Sequence, residues 1–243
     1  VRPRPQESTA LFSSTDKTTK ESIKIPEHSL LEESIINFHA AASALYGLKG
    51  SVDYLTNYPY LCLEQRLSSI LPYTVGHNVI VDFNLSEMDK KEIKEFIQNT
   101  IKDIYSYQKE NGGFGLWPDS QHDSPFNTCY AVFTLLKAQQ IGYEIDNSSL
   151  ANAENYLRNI LKGRIRRQNY PYSSRSWNTI QCYALYVLAL SGRPESEYND
   201  KLFSAKEDLS LFAKTLLLKA LYLGRGTLQA QNILLDDLQN KIK

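Results

Sequence analysis

The sequence predicts a mainly α-helical protein whose helical hairpins pack in two layers, and three observations support this. Apolar residues recur at helical spacing, as in the face formed by Ile93, Phe96, Ile97, Ile101 and Ile104. Residues 128–136 are repeated at 181–189 and, more loosely, at 211–217. These copies are more apolar than the helices between them, which predicts a buried layer alternating with a surface layer. Such layers close into an α/α toroid or curl as an open solenoid.

Capping and breaking residues set the predicted elements in chain order. Residues 40–48 and 52–57 are short helical pieces, and Leu61–Leu71 is a helix that Pro72 should end. After a looser stretch to Leu85, Ser86-Glu87-Met88-Asp89 predicts the start of a helix that runs to Lys109. The left-handed turn Asn111-Gly112-Gly113 follows it. Further helices are predicted at 128–140, 149–162, 177–190 (capped by Ser176), 196–203, 208–223 and 228–242.

The first 38 residues differ from the rest. Residues 8–14, 18–25 and 31–38 show partial period-two alternation, broken by polar residues 13–16 and by Pro26, and they predict two or three β-strands. So few strands cannot bury a core alone, so they pack on the helical body or pair with strands elsewhere. The alternative is a disordered leader rich in Ser and Thr. We therefore divide the chain into a segment 1–38 and a helical domain 39–243.

Composition excludes several classes of function. The hydrophobic fraction is 42% and the charged fraction 22%, as in a globular domain with a core. Lys+Arg and Asp+Glu both number 27, which gives no basic excess for binding nucleic acid. No apolar run is long enough to span a membrane, so no membrane contact is expected. The absence of an initiator methionine and of a signal peptide fits a fragment of a longer secreted precursor.

The stretch Tyr58-Pro59-Tyr60-Leu61-Cys62-Leu63-Glu64-Gln65 carries the chemistry. On a helix, residues three apart share a face, so the Cys62 sulfur and the Gln65 carboxamide can meet. Attack of the thiolate on the amide carbon, with loss of ammonia, would leave an internal thioester. Tyr58, Tyr60 and Leu61 could keep water from that bond. The alternative is an ordinary buried cysteine beside two exposed polar residues.

The longer string, with Ser68 and Leu71-Pro72, resembles the thioester region of bacterial alpha-2-macroglobulins, relatives of the complement thioester proteins. The resemblance covers about residues 30 to 243. It implies an α/α toroid, here with four or five hairpins and therefore short or truncated, inserted into a CUB-like β-sandwich to which residues 1–38 would contribute. One departure is that Leu61 stands where the family usually has glycine.

The same resemblance implies a function. Family members inhibit proteases: proteolysis exposes the thioester, which then acylates an amine or hydroxyl of the trapped protease once per molecule. We therefore expect an inhibitor domain that is not a turnover enzyme and needs no cofactor or metal. Its expected partners are target proteases and the other domains of the parent macroglobulin. The expected location is the periplasm or the exterior of a bacterial cell.

Supporting residues are predicted less directly. Glu64 is expected to fix the local helix or loop, with a direct chemical role as the alternative. His122 follows the Gly-Gly-Phe turn, in a loop comparable to one from which complement-type members supply a histidine that favours hydroxyl targets; the alternative is a solvated loop histidine. His28, His39 and His77 form no metal-ligand pattern.

Two other classes of function stay open on the sequence. One is an α/α-toroid enzyme, such as a prenyltransferase, a terpene cyclase or a polysaccharide-degrading protein, which needs carboxylates or zinc ligands around a cavity. Asp119, His122 and Asp123 are the loop cluster that hints at this. The other is a non-reactive binding module of the same fold.

Two further groups have mainly structural interpretations. Cys129 and Cys182 occupy matching positions of the repeat and are expected to pack as small apolar residues, with a disulfide as the alternative. A basic cluster consists of Arg158, Lys162, Arg164, Arg166 and Arg167. It is expected to form a solvated rim, with a docking surface as the alternative.

Overall fold

The computed structural model describes residues 17–27, 29–36 and 44–242. The chain divides into two units, Val1–Ala42 and Ser43–Lys243. No helix in the described ranges has both the length and the apolar character needed to cross a bilayer.

The second unit is helical, with the elements α1 Leu48–Thr56, α2 Leu63–Val75, α3 His77–Asp82, α4 Lys90–Ile104, α5 Pro125–Gln140, α6 Asn147–Leu161, α7 Ser174–Leu190, α8 Asn199–Ser204, α9 Leu211–Leu223 and α10 Leu228–Ile242.

The helices pack in two layers. Helices α2, α5, α7 and α9 form an inner row in which each packs against the next. The outer helices cover this row: α4 packs on α2, α6 on α5 and α7, α8 on α7 and α9, and α10 on α9. This is the hairpin arrangement of an α/α toroid, as the sequence predicts. The repeat copies lie on α5, α7 and α9, and most of the side chains of α5 and α7 are buried, because these helices have neighbours on several sides.

Side-chain caps begin most of the long helices. Asp89 and Glu92 form a full capping box at the start of α4, where the sequence predicts a helix start. The side chains of Ser124, Asp146 and Ser210 cap α5, α6 and α9 by accepting from backbone N–H groups of the first turn. Helix α7 is capped by Ser173 and not by Ser176. The Ser173 hydroxyl accepts from the Ser176 N–H at 3.1 Å, so the helix begins one turn earlier than predicted.

The prediction that Pro72 ends a helix is wrong. Helix α2 begins at Leu63 and continues through Pro72 to Val75. A proline inside a helix removes one hydrogen bond and costs about 3 kcal/mol. Tyr73 is fully buried beyond the proline, and Gly76 N–H still reaches the Pro72 carbonyl at 2.8 Å. Burial of the last turn therefore outweighs the lost bond.

The helix predicted to run from Ser86 to Lys109 ends earlier. Helix α4 ends at Ile104, and Tyr105–Tyr107 form a 3-10 turn before the chain becomes extended at Gln108. A single turn at the end of α4 is thus wound more tightly, which directs Tyr107 into the core, where it is 4% exposed. The left-handed turn is confirmed, because Gly112 has a φ of +87°.

Three other segments differ from their predicted form. The stretch to Leu85 was expected to be irregular, yet residues 77–82 form α3. The helix predicted at 196–203 consists of a 3-10 turn, Ser196–Tyr198, followed by α8. Residues 206–208 form a separate 3-10 turn because Ser210 caps α9.

The described residues of the first unit form no strand. Residues 18–25 are irregular, and Leu31–Glu33 form a 3-10 turn. The predicted run 8–14, as well as His28, His39 and residues 37–38 of the third run, lies outside the described residues. A strand contributed to the sheet of a flanking domain would need that domain as its partner, so this part of the fold stays a prediction.

Candidate functional site

Cys62 lies at the boundary between a loop and α2. Its backbone is extended, with φ −67° and ψ 160°, and it is the N-cap residue of the helix. The Arg66 N–H donates to the Cys62 carbonyl oxygen at 3.0 Å, which is the first bond of the helix. The sequence predicts Cys62 on the helix; instead the residue sits one position before it.

This position brings Cys62 onto Gln65. An N-cap side chain folds back over the first turn, toward the residue called N3, three positions later. Gln65 is that N3 residue, so the pair occupies the two positions of a capping box. The Cys62 Sγ is in direct contact with Oε1 of the Gln65 carboxamide. Cys62 is only 7% exposed, while Gln65 is partly buried.

Two long-range hydrogen bonds hold the backbone on either side of Cys62. The Tyr107 hydroxyl donates to the Leu61 carbonyl oxygen at 2.5 Å. The Leu63 N–H donates to the Leu116 carbonyl oxygen at 3.0 Å. The second bond satisfies an N–H that the start of a helix leaves without an intrahelical partner. The conformation of Cys62 is therefore fixed by residues more than forty positions away.

The turn that carries Leu116 is itself tightly built. Gly115 N–H donates to the Tyr107 carbonyl at 2.9 Å, and Lys109 N–H donates to the Gly113 carbonyl at 2.8 Å. A Cβ on Gly113 would lie 2.5 Å from the Tyr156 ring, so only glycine fits between the turn and α6. The Gly-Gly-Phe turn thus connects α6, Tyr107 and the first residue of α2.

The three residues predicted to shield the bond are placed unequally. Tyr58 is partly buried and packs edge-on against Tyr54 at 5.3 Å between ring centres, with Tyr60 at 5.7 Å. The pKa of the Tyr58 phenol is raised, first by the neighbouring Tyr54 phenol and to a smaller extent by Cys62. Tyr60 and Leu61 are 65% and 48% exposed. Of the three predicted shielding residues, Tyr58 is therefore the one that is partly buried.

A shallow groove of about 260 Å³ opens beside the pair. Glu64, Gln65 and Ser68 line it from α2, and Tyr54, Leu55 and Tyr58 line it from α1 and the following loop. Glu64 is exposed and stands in the first turn of α2, where a negative charge is favourable to the helix dipole. The stabilising role of Glu64 stays a prediction.

The His122 side chain makes no hydrogen bond with Cys62 or Gln65 in the described chain. Its side chain is exposed, and it makes no hydrogen bond or ion pair with the described residues. Its backbone carbonyl lies 3.1 Å from the position that a Cβ on Gly115 would take. The loop is thus next to the turn that supports α2, and a chemical role for His122 stays a prediction.

The Asp123 side chain of that loop is engaged in structural contacts. The Asp123 carboxylate accepts from the hydroxyls of Tyr156 at 2.7 Å and Tyr170 at 2.5 Å, and from the Asn111 amide at 2.5 Å. Three donors make this carboxylate an anchor for the turn and the loop before α7. Within the described ranges, no cluster of His, Cys, Asp and Glu could hold a metal ion.

Cys129 and Cys182 pack as the sequence predicts. Both are fully buried and free, so the alternative of a disulfide is not realised. The Cys129 Sγ contacts the Ile180 carbonyl oxygen at 3.8 Å. Burial raises the pKa of the Cys182 thiol to about 12, which keeps it protonated and unreactive at neutral pH.

Most of the basic cluster is engaged in local contacts. Arg158 forms ion pairs with Glu195 at 2.7 Å and with the buried Glu154 at 3.7 Å. Arg166 and Arg167 donate to nearby backbone carbonyls, and Arg164 donates to Asn159. These contacts fit a rim that stabilises the loop after α6.

The sequence did not single out Tyr107, Tyr54 or Tyr130 as parts of the site. Tyr130 bonds the Ser68 hydroxyl at 3.0 Å from α5. No local pattern marks these tyrosines, because their partners are distant in sequence. The abundance of tyrosine, 16 residues, was the available signal, but it does not point to positions.

The two helical layers and the contact at the start of α2 make this an α/α-toroid domain in which a cysteine and a glutamine touch at the start of an inner helix. The chain belongs to the family of A-macroglobulin TED domains, whose family model matches residues 32–207.

Similar proteins agree with this assignment. The chain is 30% identical over 207 residues to the alpha-2-macroglobulin homolog of Yersinia pestis, covering 84% of the chain. It is 30% identical over 184 residues to the alpha-2-macroglobulin of Thermotoga maritima, covering 73%. The chain spans about 10% of the length of each of these curated relatives.

Solved structures share the fold. Native Escherichia coli alpha-2-macroglobulin, from domain MG7 to the C-terminus, superposes with a TM-score of 0.67 at 22% identity, over 78% of this chain and 31% of that one. Salmonella alpha-2-macroglobulin reacted with methylamine gives a TM-score of 0.71 at 22% identity, over 79% of this chain and 13% of that one.

Proposed function

We propose that Cys62 and Gln65 form an internal thioester and that the domain uses it to capture a protease covalently. The observation that carries the proposal is the contact between the Cys62 sulfur and the Gln65 carboxamide at the N-cap and N3 positions of α2. Membership in the TED family supports it. The domain then acts as part of a protease inhibitor and reacts once, without turnover.

The chemistry has two steps. The Cys62 thiolate adds to the Gln65 amide carbon; the C–N bond breaks, and the amide nitrogen leaves as ammonia after taking up a proton. Later an amine or hydroxyl oxygen attacks the same carbon, the C–S bond breaks, and the thiolate leaves. A thiol, with a pKa of about 8.5, is a far better leaving group than ammonia. The product is an amide or ester on Gln65 and a free Cys62 thiol.

The surroundings suit a stored bond. The extended N-cap conformation, fixed by Tyr107 and Leu116, holds the sulfur next to the carboxamide before reaction, so little conformational entropy is lost on closure. Cys62 is buried, and Tyr58 lines the groove that opens at Gln65. Tyr60 and Leu61 are exposed in this domain. We propose that they complete the shield where another domain of the parent protein contacts them.

The relatives support a proposal about what triggers the reaction and where the protein acts. Escherichia coli alpha-2-macroglobulin has been described as activated by trypsin and by porcine elastase. We propose that a protease likewise triggers exposure of the bond here, and that the location is the periplasm or the exterior of a bacterial cell. Residues 39–243 would form the thioester domain, and residues 1–38 would supply strands to a flanking CUB-like domain.

The enzyme alternative has less support. It needs acid–base groups or a metal around a cavity, and the Asp123 carboxylate is occupied by three donors. The non-reactive binding module keeps the same fold, and only chemistry separates it from the proposal.

Intact mass and thiol titration test the proposal on fresh protein. The native mass should fall short of the sequence mass by one ammonia, and methylamine should add at Gln65. Cys129 and Cys182 are fully buried and should not be titrated under native conditions. The number of titratable thiols per chain should therefore rise from none to one when methylamine reacts. In the Cys62→Ala and Gln65→Glu variants, the mass deficit and the addition of methylamine should both be lost, while the helical circular dichroism persists. A full native mass with no methylamine addition would contradict the thioester and favour the non-reactive binding module.

A further inference from the structure

Residues 162–175 connect α6 to the first turn of α7, and we call them the basic loop. Between Glu154 and Glu195 the chain has seven Lys and Arg residues and no Asp or Glu. Five of these cations lie in the basic loop: Lys162, Arg164, Arg166, Arg167 and Arg175. In the described part of the chain, the hydrogen bonds of the four arginines go to the Asn159 amide oxygen and to backbone carbonyls. These acceptors carry no charge, so the positive charge of the loop stays uncompensated.

The basic loop lies at the same end of the domain as Cys62. The Leu63 N–H, at the start of α2, donates to the Leu116 carbonyl oxygen in the turn before α5 at 3.0 Å. The Tyr170 hydroxyl, in the basic loop, donates to the Asp123 carboxylate just before α5 at 2.5 Å. The starts of α2, α5 and α7 are therefore neighbours, and a polypeptide bound at the basic loop can extend toward the start of α2.

Aromatic contacts fix the shape of the basic loop. The Tyr170 ring stacks on Trp177 with the ring centres 6.0 Å apart. The Tyr172 ring lies 6.1 Å from Tyr170 and 6.4 Å from Trp177. Arg167 also donates to the Tyr172 carbonyl oxygen at 3.0 Å. Because the backbone is held in this way, little conformational entropy would be lost when a ligand binds the arginines.

The charges of the loop favour an anionic ligand. The first turn of a helix favours negative charge, yet α7 carries the exposed Arg175 there and no acidic residue. Arg164 and Arg166 are exposed as well, and guanidinium groups bind carboxylates in bidentate geometry. The Asp123 carboxylate, which contacts the loop, is already engaged by three donors.

We propose that the basic loop docks an acidic stretch of the captured protease, so that proteins with carboxylates near the attacking residue are preferred acceptors. This inference rests on the proposed function. A polypeptide ligand is favoured because the loop shares its end of the domain with the Cys62–Gln65 pair, whose proposed acceptor is a protein. Helices pack about 8–10 Å apart, so the starts of α2 and α7 are separated by about 20 Å. About six extended residues span this distance.

Two peptides that differ only in charge test the docking. Each has a single lysine, a spacer of about six Gly and Ser residues, a run of Glu in one peptide and of Gln in the other, and blocked termini. Mass spectrometry gives the ratio of the rates at which the acidic and the neutral peptide add to the protein. The acidic peptide should add about five times faster to the wild type, the size expected from a few exposed ion pairs. The Arg166→Gln/Arg175→Gln variant should lower this ratio about threefold.

A control variant removes the same charge elsewhere. Lys94→Gln/Arg225→Gln changes two exposed cations at the other end of the domain. Lys94 lies near the start of α4, whose end leads to the site, and Arg225 lies just after the end of α9. This variant should keep the wild-type ratio.

Salt gives a second measurement, because it screens exposed charges. The wild-type ratio should fall toward one as the salt concentration rises. An unchanged ratio in Arg166→Gln/Arg175→Gln protein that still lacks one ammonia overturns the docking and leaves the thioester intact. A wild-type ratio of one does the same, and binding to phosphatidylglycerol vesicles would then assign the loop to a membrane surface. A wild-type chain of full mass overturns the thioester and the docking together.

Discussion

The hydroxyl of Tyr107 donates a 2.5 Å hydrogen bond to the carbonyl oxygen of Leu61, the residue directly before Cys62. Tyr107 is buried at the end of α4, and its own carbonyl accepts from Gly115 in the Gly-Gly-Phe turn. One side chain thus connects the outer helix, the turn and the loop that presents the sulfur. We expect this hydrogen bond to affect the lifetime of the proposed thioester as well as the stability of the domain.

Tyr107→Phe tests the connection. Loss of one hydrogen bond should lower the free energy of unfolding by about 1 kcal/mol. The loosened Leu61 carbonyl should also let water reach the bond, so methylamine reactivity should decay faster during storage. Tyr105→Phe is the control, since the Tyr105 hydroxyl accepts from the Asp146 N–H at 2.9 Å, at the start of α6. It should cost similar stability without changing the decay; equal decay rates in the two variants would argue against the positioning role.

Two glycine substitutions, one in the Gly-Gly-Phe turn and one in α1, should have opposite effects on the free energy of unfolding. Gly113→Ala places a Cβ 2.5 Å from the Tyr156 ring and should destabilise the domain by about 1–3 kcal/mol, as overpacking does. Gly50→Ala, in the exposed first turn of α1, meets nothing within 4 Å. Because glycine weakens a helix relative to alanine, Gly50→Ala should stabilise by about 0.5–1 kcal/mol. Urea unfolding of both variants measures the difference.

The buried Lys214 predicts an acid-sensitive contact between α9 and α10. It is 1% exposed and pairs with Asp237, whose pKa is lowered first by the hydrogen bond from Lys214. Because the folded pKa lies below the unfolded one, the stability from this pair is present above the unfolded pKa. It is lost as pH falls through the folded value. Lys241 lies 4.0 Å from the same carboxylate, and Lys206 adds a weaker charge effect.

Two variants separate the pair from the rest of the acid response. Asp237→Asn should destabilise at pH 7, because it leaves a buried cation without a counter-charge, and should flatten the loss of stability between about pH 5 and pH 2. Lys214→Met should cost less, since burying an apolar chain of similar length needs no partner. Thermal melts over this pH range measure how stability falls with pH. If the Asp237→Asn variant keeps the wild-type slope of stability against pH, the Lys214–Asp237 pair does not cause the acid sensitivity.

His122 has a test of its own. His122→Ala should leave methylamine incorporation unchanged, because the exposed imidazole makes no hydrogen bond with the described residues. The sequence prediction assigns the histidine to hydroxyl targets, so the variant should instead lower incorporation of glycerol. Mass spectrometry after incubation with each compound measures both. Unchanged glycerol incorporation would make His122 a solvated loop residue.

The features that could be predicted correctly from the sequence depend on residues within about four positions of one another. The capping box at Asp89 and Glu92, the left-handed Gly112 and the repeat on α5 and α7 all follow from such neighbours. The three-residue spacing of Cys62 and Gln65 belongs to the same set. The spacing was sufficient to predict that the two side chains meet.

The way in which Cys62 and Gln65 are held together depends on long-range contacts of the folded chain. It made Cys62 an N-cap, carried α2 through Pro72, and brought Tyr107 and Leu116 to the two sides of the cysteine. The partners of these residues lie far along the chain, and burial of Tyr73 outweighs the local preference of proline to end a helix. Local patterns carry no record of such long-range contacts, because a side chain selected for a distant partner looks like any other core tyrosine.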